Sequence, residues 1–527
     1  MMMVSMFCLA YITFTNNNLV RANRDERRTV TFYLAEAAMD WAIDQAIDYA
    51  TANAGAVQSI TYTSDINALL DSLRTGATGT VSIASGSGGT AVLTSSATYK
   101  GITQSVRVKM KFRNIGIWNN AIFAGSGASG RGINGNVDIR GSVHILGDGE
   151  PFSDLNGNGV RDVAETYTDS NSNGVYNSGE PFTDADNNGV WTPADPFQDN
   201  DLDGVYDAPL TAADIAAAMT GGANVGNNYS GMPAELSAKI PPLDSITYGG
   251  ESVTTLNAEL RVKHGVFNIS GAATAGQPNQ TGNSVKETLD GVFCSDGFGG
   301  TQGVTGVNAD NGTTNPYDLG DRVKFPGLLD PFTDSSTGIS YATHEDWLDE
   351  KSMVFTENNI KCGTANFTHS DGNGNSISWD DATDTLTVNG MVRIAGDLDM
   401  SSKEDTIYYA GQGTIFSKGS VNVHGSIMAK TMFPTTDSMG VIAKYDINFA
   451  TGAGESQLKG MGAWYAERKI VSAKQNQFAG TYVAGYFDMG SNVPSIYQVP
   501  ALAQNLPPGM PGGDGVISAT TLSWRHL

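Results

Sequence analysis

The chain has 527 residues, of which 63 are glycine and 16% are charged, and its formal net charge is −24. This length accommodates roughly two or three domains, and the composition is typical of extracellular β-rich proteins rather than of helical cytosolic enzymes. The acidic balance, without a basic stripe to neutralise phosphates, argues against nucleic acid as a partner.

The first predicted element is an N-terminal helix. The segment Met1–Phe14 is apolar apart from Ser5 and Thr13, but it is shorter than the ~20 residues that span a bilayer. We therefore expect it to be the end of a transmembrane helix that starts upstream. A basic collar follows, formed by Arg21, Arg24, Arg27 and Arg28.

Beyond the collar, apolar residues recur at helical spacing and acidic residues occupy another face. The apolar positions are Leu34, Ala38, Trp41, Ala42 and Ala46, and the acidic positions are Asp40, Asp44 and Asp48. This pattern predicts one unbroken helix over residues 1–51, which anchors the chain in a membrane and leaves an amphipathic face for a partner.

The motif Ala35-Glu36-Ala37-Ala38, followed by Ala42, resembles the stem of PilX-type minor pilins of type IV pilus systems. In residues 52–115, alternating segments such as 104–112 predict a small antiparallel sheet, similar to that of a pilin head. The resemblance implies other pilin-like subunits as partners of the N-terminal helix. It also implies a bacterial protein anchored in the inner membrane and exported to the periplasm or cell surface.

Prepilins carry a glycine cleavage site and a nearby glutamate, and residues 1–14 contain neither. This leaves open both a site upstream and a chain without peptidase processing.

A repeat of fifteen residues begins at Asp154 and recurs at Asp169, Asp184 and Asp199. Each copy follows the twelve-residue loop pattern in which alternate oxygen ligands surround calcium, and a glycine at position six allows the sharp turn. In the fourth copy Leu210 replaces the closing carboxylate. The predicted calcium ligands are Asp154, Asn156, Asn158, Val160, Asp162 and Glu165; Asp169, Asn171, Asn173, Val175, Asn177 and Glu180; Asp184, Asp186, Asn188, Val190, Thr192 and Asp195; and Asp199, Asp201, Asp203, Val205 and Asp207.

Aromatic residues share this period. They are Phe152, Tyr167, Phe182 and Phe197 between the loops, and Tyr176, Trp191 and Tyr206 after the loop valines, with Arg161 in the first copy. We expect these side chains to pack successive loops together, because so small a repeat has no core of its own. The arrangement resembles thrombospondin type 3 repeats, which implies a calcium-rigidified arm over residues 148–210 rather than a sensor that opens.

The rest of the chain predicts short strands separated by Gly or Asn. Residues 116–147 hold the first strands of a β-rich domain, residues 211–246 a connector, and residues 247–527 a β-helix-like domain. The predicted class is therefore α+β and mostly β; a parallel β-helix is favoured and a β-sandwich is the alternative. Cys294 and Cys362 are either one disulfide or two free thiols.

Together these features predict a non-enzymatic, membrane-anchored, extracytoplasmic pilin-like subunit or assembly factor of a type IV pilus or related secretion pseudopilus. One alternative is a calcium-dependent adhesin, independent of pili, that binds surface glycans or proteins. A second is a β-helical polysaccharide lyase or hydrolase, for which Asp138, Asp397 and Asp399 are the visible acidic candidates. The glycine pattern in residues 125–130 predicts a turn and not a nucleotide site, since no helix pattern follows it.

Overall fold

A computed structural model describes residues 2–53, 56–86, 89–125, 138–146, 152–155, 161–185, 189–197, 206, 223–263, 267–294, 297–312, 323–488, 494–513 and 517–527. These ranges are mostly β-structure, with one long helix at the N-terminus. The predicted α+β, mostly β class is confirmed in these main features.

Helix α1 spans Met2–Ala52 and is ~75 Å long at 1.5 Å per residue. Side chains 5–29 are exposed, whereas a stripe in the second half is buried, formed by Leu34, Ala35, Ala38, Met39, Ala42, Ala46 and Ala50. The helix thus has a projecting half and a packed half. Within the described residues, no helix contains a stretch long and apolar enough to cross a bilayer.

The packed half of α1 lies on a small sheet. Its elements are β1 (Ile60–Tyr62), α2 (Ser64–Leu73), β2 (Thr78–Ser85), β3 (Thr90–Tyr99) and β4 (Ile102–Asn114). The four strands pair antiparallel in chain order, and a fifth strand, Ile517–His526, pairs antiparallel with β4. Buried side chains alternate along β3 and face the helix, and the Ser95 hydroxyl donates to the Ala35 carbonyl at 2.7 Å.

A second body, which we call the parallel solenoid, is formed by the residues between β4 and that fifth strand, apart from the repeats within residues 148–210. Its first elements are a 3-10 helix (Ile117–Asn119), β5 (Ile122–Ala124), β6 (Asp138–Arg140), β7 (Val143–Ile145), β8 (Asn224–Gly226), α3 (Ala234–Ser237), β9 (Ser245–Tyr248), β10 (Glu251–Thr254), β11 (Glu259–Val262), β12 (Phe267–Asn268), β13 (Thr274–Ala275), β14 (Gly291–Cys294), β15 (Phe298–Gly299) and a 3-10 helix (Gly303–Gly306).

Its later elements are β16 (Phe332–Thr333), β17 (Ser340–Tyr341), α4 (His344–Lys351), β18 (Met353–Phe355), β19 (Asn359–Ile360), β20 (Phe367–Ser370), β21 (Ser376–Asp380), β22 (Thr385–Ile394), β23 (Leu398–Met400), β24 (Thr406–Ala410), β25 (Gln412–Ser417), β26 (Val421–Val423), β27 (Ser426–Ala429), β28 (Ser438–Ala443), β29 (Ile447–Phe449), β30 (Lys459–Ser472), β31 (Gln477–Asp488), β32 (Ser495–Tyr497) and a 3-10 helix (Pro500–Gln504). The fifth strand of the small sheet is β33 (Ile517–His526).

Parallel pairing stacks one coil of the solenoid on the next. From β22 to β27 each strand pairs with the strand three places further along the chain. One interior column of paired, buried residues runs through Met353, Val392, Ile415, Val441, Trp464, Tyr482, Ile122, Val143, Leu260 and Val292. Because apolar side chains succeed one another in register, the stack excludes water along its length.

The column does not follow chain order. The late strand β31 pairs with the early strand β5, so the solenoid's first coils stack against its last ones. The chain consequently enters and leaves the solenoid near its middle, on the side of the small sheet. Residues 247–527 were predicted to belong to the β-rich domain throughout, but β33 lies in the small sheet.

Candidate cation-binding arm

The fifteen-residue repeats are described in part. The predicted ligands outside the described residues are Asn156, Asn158, Val160, Asp186, Asn188, Asp199, Asp201, Asp203, Val205 and Asp207. Those within them are Asp154, Asp162, Glu165, Asp169, Asn171, Asn173, Val175, Asn177, Glu180, Asp184, Val190, Thr192 and Asp195. We number the loops from one to four by their opening aspartates, and we call the position-twelve side chain the closing carboxylate.

Loop two, residues 169–180, is described throughout and shows how the repeat folds. The Asp169 carboxylate accepts the Gly174 N–H at 2.7 Å, and Gly174 has a φ of +76°, which a residue with a Cβ adopts at a cost. The Asn177 amide donates to the Val175 carbonyl at 2.7 Å. The backbone N–H of Gly174, the largest influence, lowers the pKa of Asp169 by stabilising its anion.

Loop three begins in the same way. The Asp184 carboxylate accepts the Gly189 N–H at 2.9 Å, and Gly189 also has a φ of +76°. In both loops the first and sixth positions therefore curl the backbone as the sequence pattern predicts.

Loops one and three lie beside each other. The bridge pair Phe152 and Phe197 and the bridge pair Tyr167 and Phe182 are both antiparallel. Backbone hydrogen bonds connect residues 153–166 with residues 183–196. Loop two therefore forms the turn between two neighbouring antiparallel segments of the arm.

The aromatic residues pack as their period predicts. The rings of Tyr176 and Trp191 stack with centroids 4.6 Å apart, and Tyr167 meets both rings edge-on. The Arg161 guanidinium lies over the rings of Phe197 and Tyr206, 4.6 and 4.7 Å from their centroids. Ring contacts thus join residues of different repeats, in place of a hydrophobic core.

The closing carboxylates are buried. Glu165 and Glu180 are each 8% exposed, and Asp195 is 2% exposed. Among the described residues, no lysine, arginine or histidine forms an ion pair with any of the three. A buried anion without a countercharge is strongly unfavourable, so this arrangement favours occupation by a cation.

In the described part of the chain, no three His, Cys, Asp or Glu side chains converge as a metal cluster. For loop two this is expected, because only Asp169 and Glu180 among its predicted ligands are carboxylates. Its other predicted donors are amide and carbonyl oxygens, which suit a hard cation such as calcium and not zinc.

The acidic candidates for an enzyme are engaged elsewhere. Asp138 forms an ion pair with the neighbouring Arg140 at 2.7 Å, and Asp397 accepts the Ser420 N–H at 2.8 Å. Asp399 accepts the amide of Asn422 at 2.9 Å. Each of these carboxylates thus stabilises a turn or a neighbouring coil.

Buried titratable groups of the solenoid also have structural surroundings. Burial, reinforced by Arg261 and Lys263, lowers the pKa of His144 well below its usual value, so this histidine is neutral at pH 7. Cys294 and Cys362 are free thiols. Burial raises the pKa of Cys294, and burial with nearby Asp384 raises the pKa of Cys362 to about 12, so neither thiol is a ready nucleophile.

Comparison with known proteins gives structural likeness without sequence matches. No family model and no curated protein sequence matches the chain. The structure is similar to that of the competence-associated pilin ComZ from Thermus thermophilus, with a TM-score of 0.52, 16% sequence identity, and coverage of 95% of this chain and 97% of that one. The chain therefore shares the fold of a pilin over nearly its whole length.

Proposed function

We propose that this chain is a non-enzymatic, extracytoplasmic pilin-like subunit or assembly factor of a type IV pilus or related secretion pseudopilus. The observation that carries the proposal is the unit formed by α1 and the small sheet. The helix is held by the sheet over its second half and projects over its first. The fold shared with a competence-associated pilin supports the same assignment.

The projecting half of α1 is the contact with other pilin-like subunits and with the membrane. It exposes large apolar side chains, namely Met6, Phe7, Leu9, Tyr11, Ile12, Phe14, Leu19 and Val20. An apolar helix surface of this size is unfavourable in water and calls for an apolar partner. In this proposal the solenoid projects outward and presents its surface to glycans or proteins.

Photocrosslinking in the native bacterium tests the subunit contact. A crosslinking amino acid at Leu9, on the projecting half, is expected to capture pilin-like subunits that mass spectrometry identifies. The same amino acid at Val354, an exposed position of β18, serves as the control and is expected not to capture them. Capture of pilin-like subunits from neither position, or from Val354 alone, would contradict the proposal.

Calcium is the proposed ligand of the arm. Binding would offset the repulsion between carboxylates, so that folding of the arm and uptake of the cation are one event. The buried closing carboxylates without cationic side-chain partners support this assignment, as does the oxygen-only donor set.

Trypsin provides the test on the whole chain. Arg161 is the sole basic residue between Pro151 and Leu210, so cleavage within that segment reports the state of the arm. We expect cleavage at Arg161 after chelation and protection in excess calcium, whereas the variant Arg161→Gln stays uncut there in both conditions. Equal cleavage with and without calcium would remove the calcium assignment but not the pilin assignment.

A further inference from the structure

Loops one and three are related by a pseudo-twofold arrangement, in which residue i of one corresponds to residue i+30 of the other. Two pairs of backbone hydrogen bonds show it. The Ser153 N–H donates to the Pro196 carbonyl at 2.8 Å, and its counterpart, the Thr183 N–H, donates to the Thr166 carbonyl at 2.8 Å.

The second pair of backbone hydrogen bonds joins positions nine and twelve of the two loops. The Glu165 N–H donates to the Thr192 carbonyl at 3.1 Å, and the Asp195 N–H donates to the Asp162 carbonyl at 3.0 Å. Position twelve of each loop is thereby fixed opposite position nine of the other.

The closing side chains follow the same rule. The Glu165 carboxylate of loop one accepts the N–H groups of Ala185 and Thr192 in loop three, at 2.6 and 3.0 Å. Reciprocally, the Asp195 carboxylate of loop three accepts the N–H groups of Leu155 and Asp162 in loop one, at 3.0 and 2.9 Å.

In loop two, by contrast, the closing carboxylate binds within its own loop. Its closing Glu180 accepts the N–H groups of Ser170 and Asn177, both at 2.9 Å, within its own loop. In all three loops the closing carboxylate is held by the N–H groups of positions two and nine. Loop two fills this place with its own side chain, whereas loops one and three fill it with each other's.

We infer that loops one and three exchange their closing carboxylates, so that Glu165 completes the cation site of loop three and Asp195 completes that of loop one. The inference rests on the proposed calcium function of the arm and assigns the ligands within it. Both carboxylates are over nine-tenths buried. No cationic side chain among the described residues forms an ion pair with either of them, and each carboxylate accepts hydrogen bonds from the other loop.

The exchange makes loops one and three a single binding unit. A cation in either site ties both backbones together, which organises the second site before its own cation arrives. Loop two closes on itself and binds independently. The fifteen-residue period, taken alone, predicts instead that each loop with a closing carboxylate forms a site of its own.

Terbium is the probe that distinguishes these arrangements, because it substitutes for calcium and emits when a nearby indole is excited. Loop three carries Trp191 at position eight, where loop one carries Arg161 and loop two carries Tyr176. Terbium emission excited through tryptophan in the full chain, and lost in Trp191→Phe, reports on a site near Trp191. Because Trp191 also stacks on Tyr176 of loop two, persistence of this emission in Glu180→Gln assigns it to loop three.

Under exchange, Glu165→Gln weakens terbium binding at the Trp191-reported site at least ~10-fold, although the substitution is in loop one. Asp195→Asn, within loop three, lowers the affinity of that site less. Glu180→Gln, in loop two, is the matched control and leaves the signal unchanged. A dominant effect of Asp195→Asn with little effect of Glu165→Gln would overturn the exchange.

If both substitutions remove the signal, double-mutant cycles on terbium affinity decide. If the carboxylates are exchanged, the effects of Glu165→Gln and Asp184→Asn are coupled, whereas those of Glu165→Gln and Asp154→Asn are additive. If each loop closes its own site, Glu165→Gln is coupled to Asp154→Asn and additive with Asp184→Asn. A chain that binds neither terbium nor calcium would overturn the proposed calcium function and this inference with it. Binding with coupling of Glu165→Gln to Asp154→Asn would overturn the inference alone.

Discussion

The solenoid and the arm are both repetitive, but they are stabilised by different means. In the solenoid, a column of buried apolar residues such as Val441 and Trp464 continues from coil to coil. In the arm, stacked rings and buried carboxylates occupy the corresponding interior. The comparison shows that a repeat too short to enclose a core depends on contacts between side chains of different repeats. The solenoid should therefore respond to cavities and the arm to solution conditions.

The largest effect is expected from a cavity in the solenoid. Trp464→Ala removes a fully buried indole that packs edge-on against Phe449, and we expect a loss of about 3–5 kcal/mol in the free energy of unfolding. Denaturant unfolding followed by circular dichroism measures it. Val354→Ala, at an exposed position of the solenoid, is the control and should change stability by less than about 0.5 kcal/mol.

Acid should weaken the solenoid through a histidine. His344 lies at the start of α4, stacked on Phe332, and burial lowers its pKa from 6.5 to about 4. Because the folded state favours the neutral ring, its contribution is complete above pH 6.5 and is lost as the pH falls towards 4. The limit is about 3 kcal/mol, at 1.36 kcal/mol per pKa unit.

The variant His344→Gln should flatten the dependence of unfolding free energy on pH between 6.5 and 4. If His344→Gln did not change the pH dependence of the unfolding free energy, that dependence would be due to other groups.

Removal of calcium should destabilise the arm and leave the stability of the solenoid unchanged. At a calcium concentration 100 times the dissociation constant, binding stabilises a site by about 2.7 kcal/mol, and chelation removes that from the arm alone. We expect the solenoid's unfolding midpoint to stay constant while trypsin cleavage at Arg161 appears. If the solenoid's unfolding midpoint also fell on chelation, the arm would contribute to the stability of the solenoid.

The smallest effect concerns the stacked rings. Tyr176→Leu keeps an apolar side chain but loses the stacking on Trp191, which should cost the arm about 1 kcal/mol. The measurement is the calcium concentration that half-protects Arg161 from trypsin, which should rise several-fold. Tyr445→Leu, a ring of the solenoid that lies under Arg468, should leave this concentration unchanged.

Local patterns in the sequence predicted the elements well. The helix predicted over residues 1–51 is Met2–Ala52, and the strand predicted over residues 104–112 lies within β4. In both cases the period of the apolar residues equals the period of the structure, so a short window contains the information.

Such local patterns could not predict which distant segments pair with each other. Nothing local to residues 517–526 indicates that they complete the small sheet, nor does β31 indicate that it stacks on β5. The candidate ligands of the arm were proposed as a set from their spacing. The offset that brings Glu165 to Ala185 depends on the antiparallel course of the backbone, which a repeat period does not encode.

The place of the solenoid between β4 and β33 has a consequence for biogenesis. During synthesis, β4 remains an open edge strand until the entire solenoid has left the ribosome, since its neighbour β33 follows the solenoid in the chain. An unpaired edge is a ready template for other strands. A prematurely terminated chain would thus leave β4 unpaired at the edge of the small sheet, where it could associate with strands of other chains.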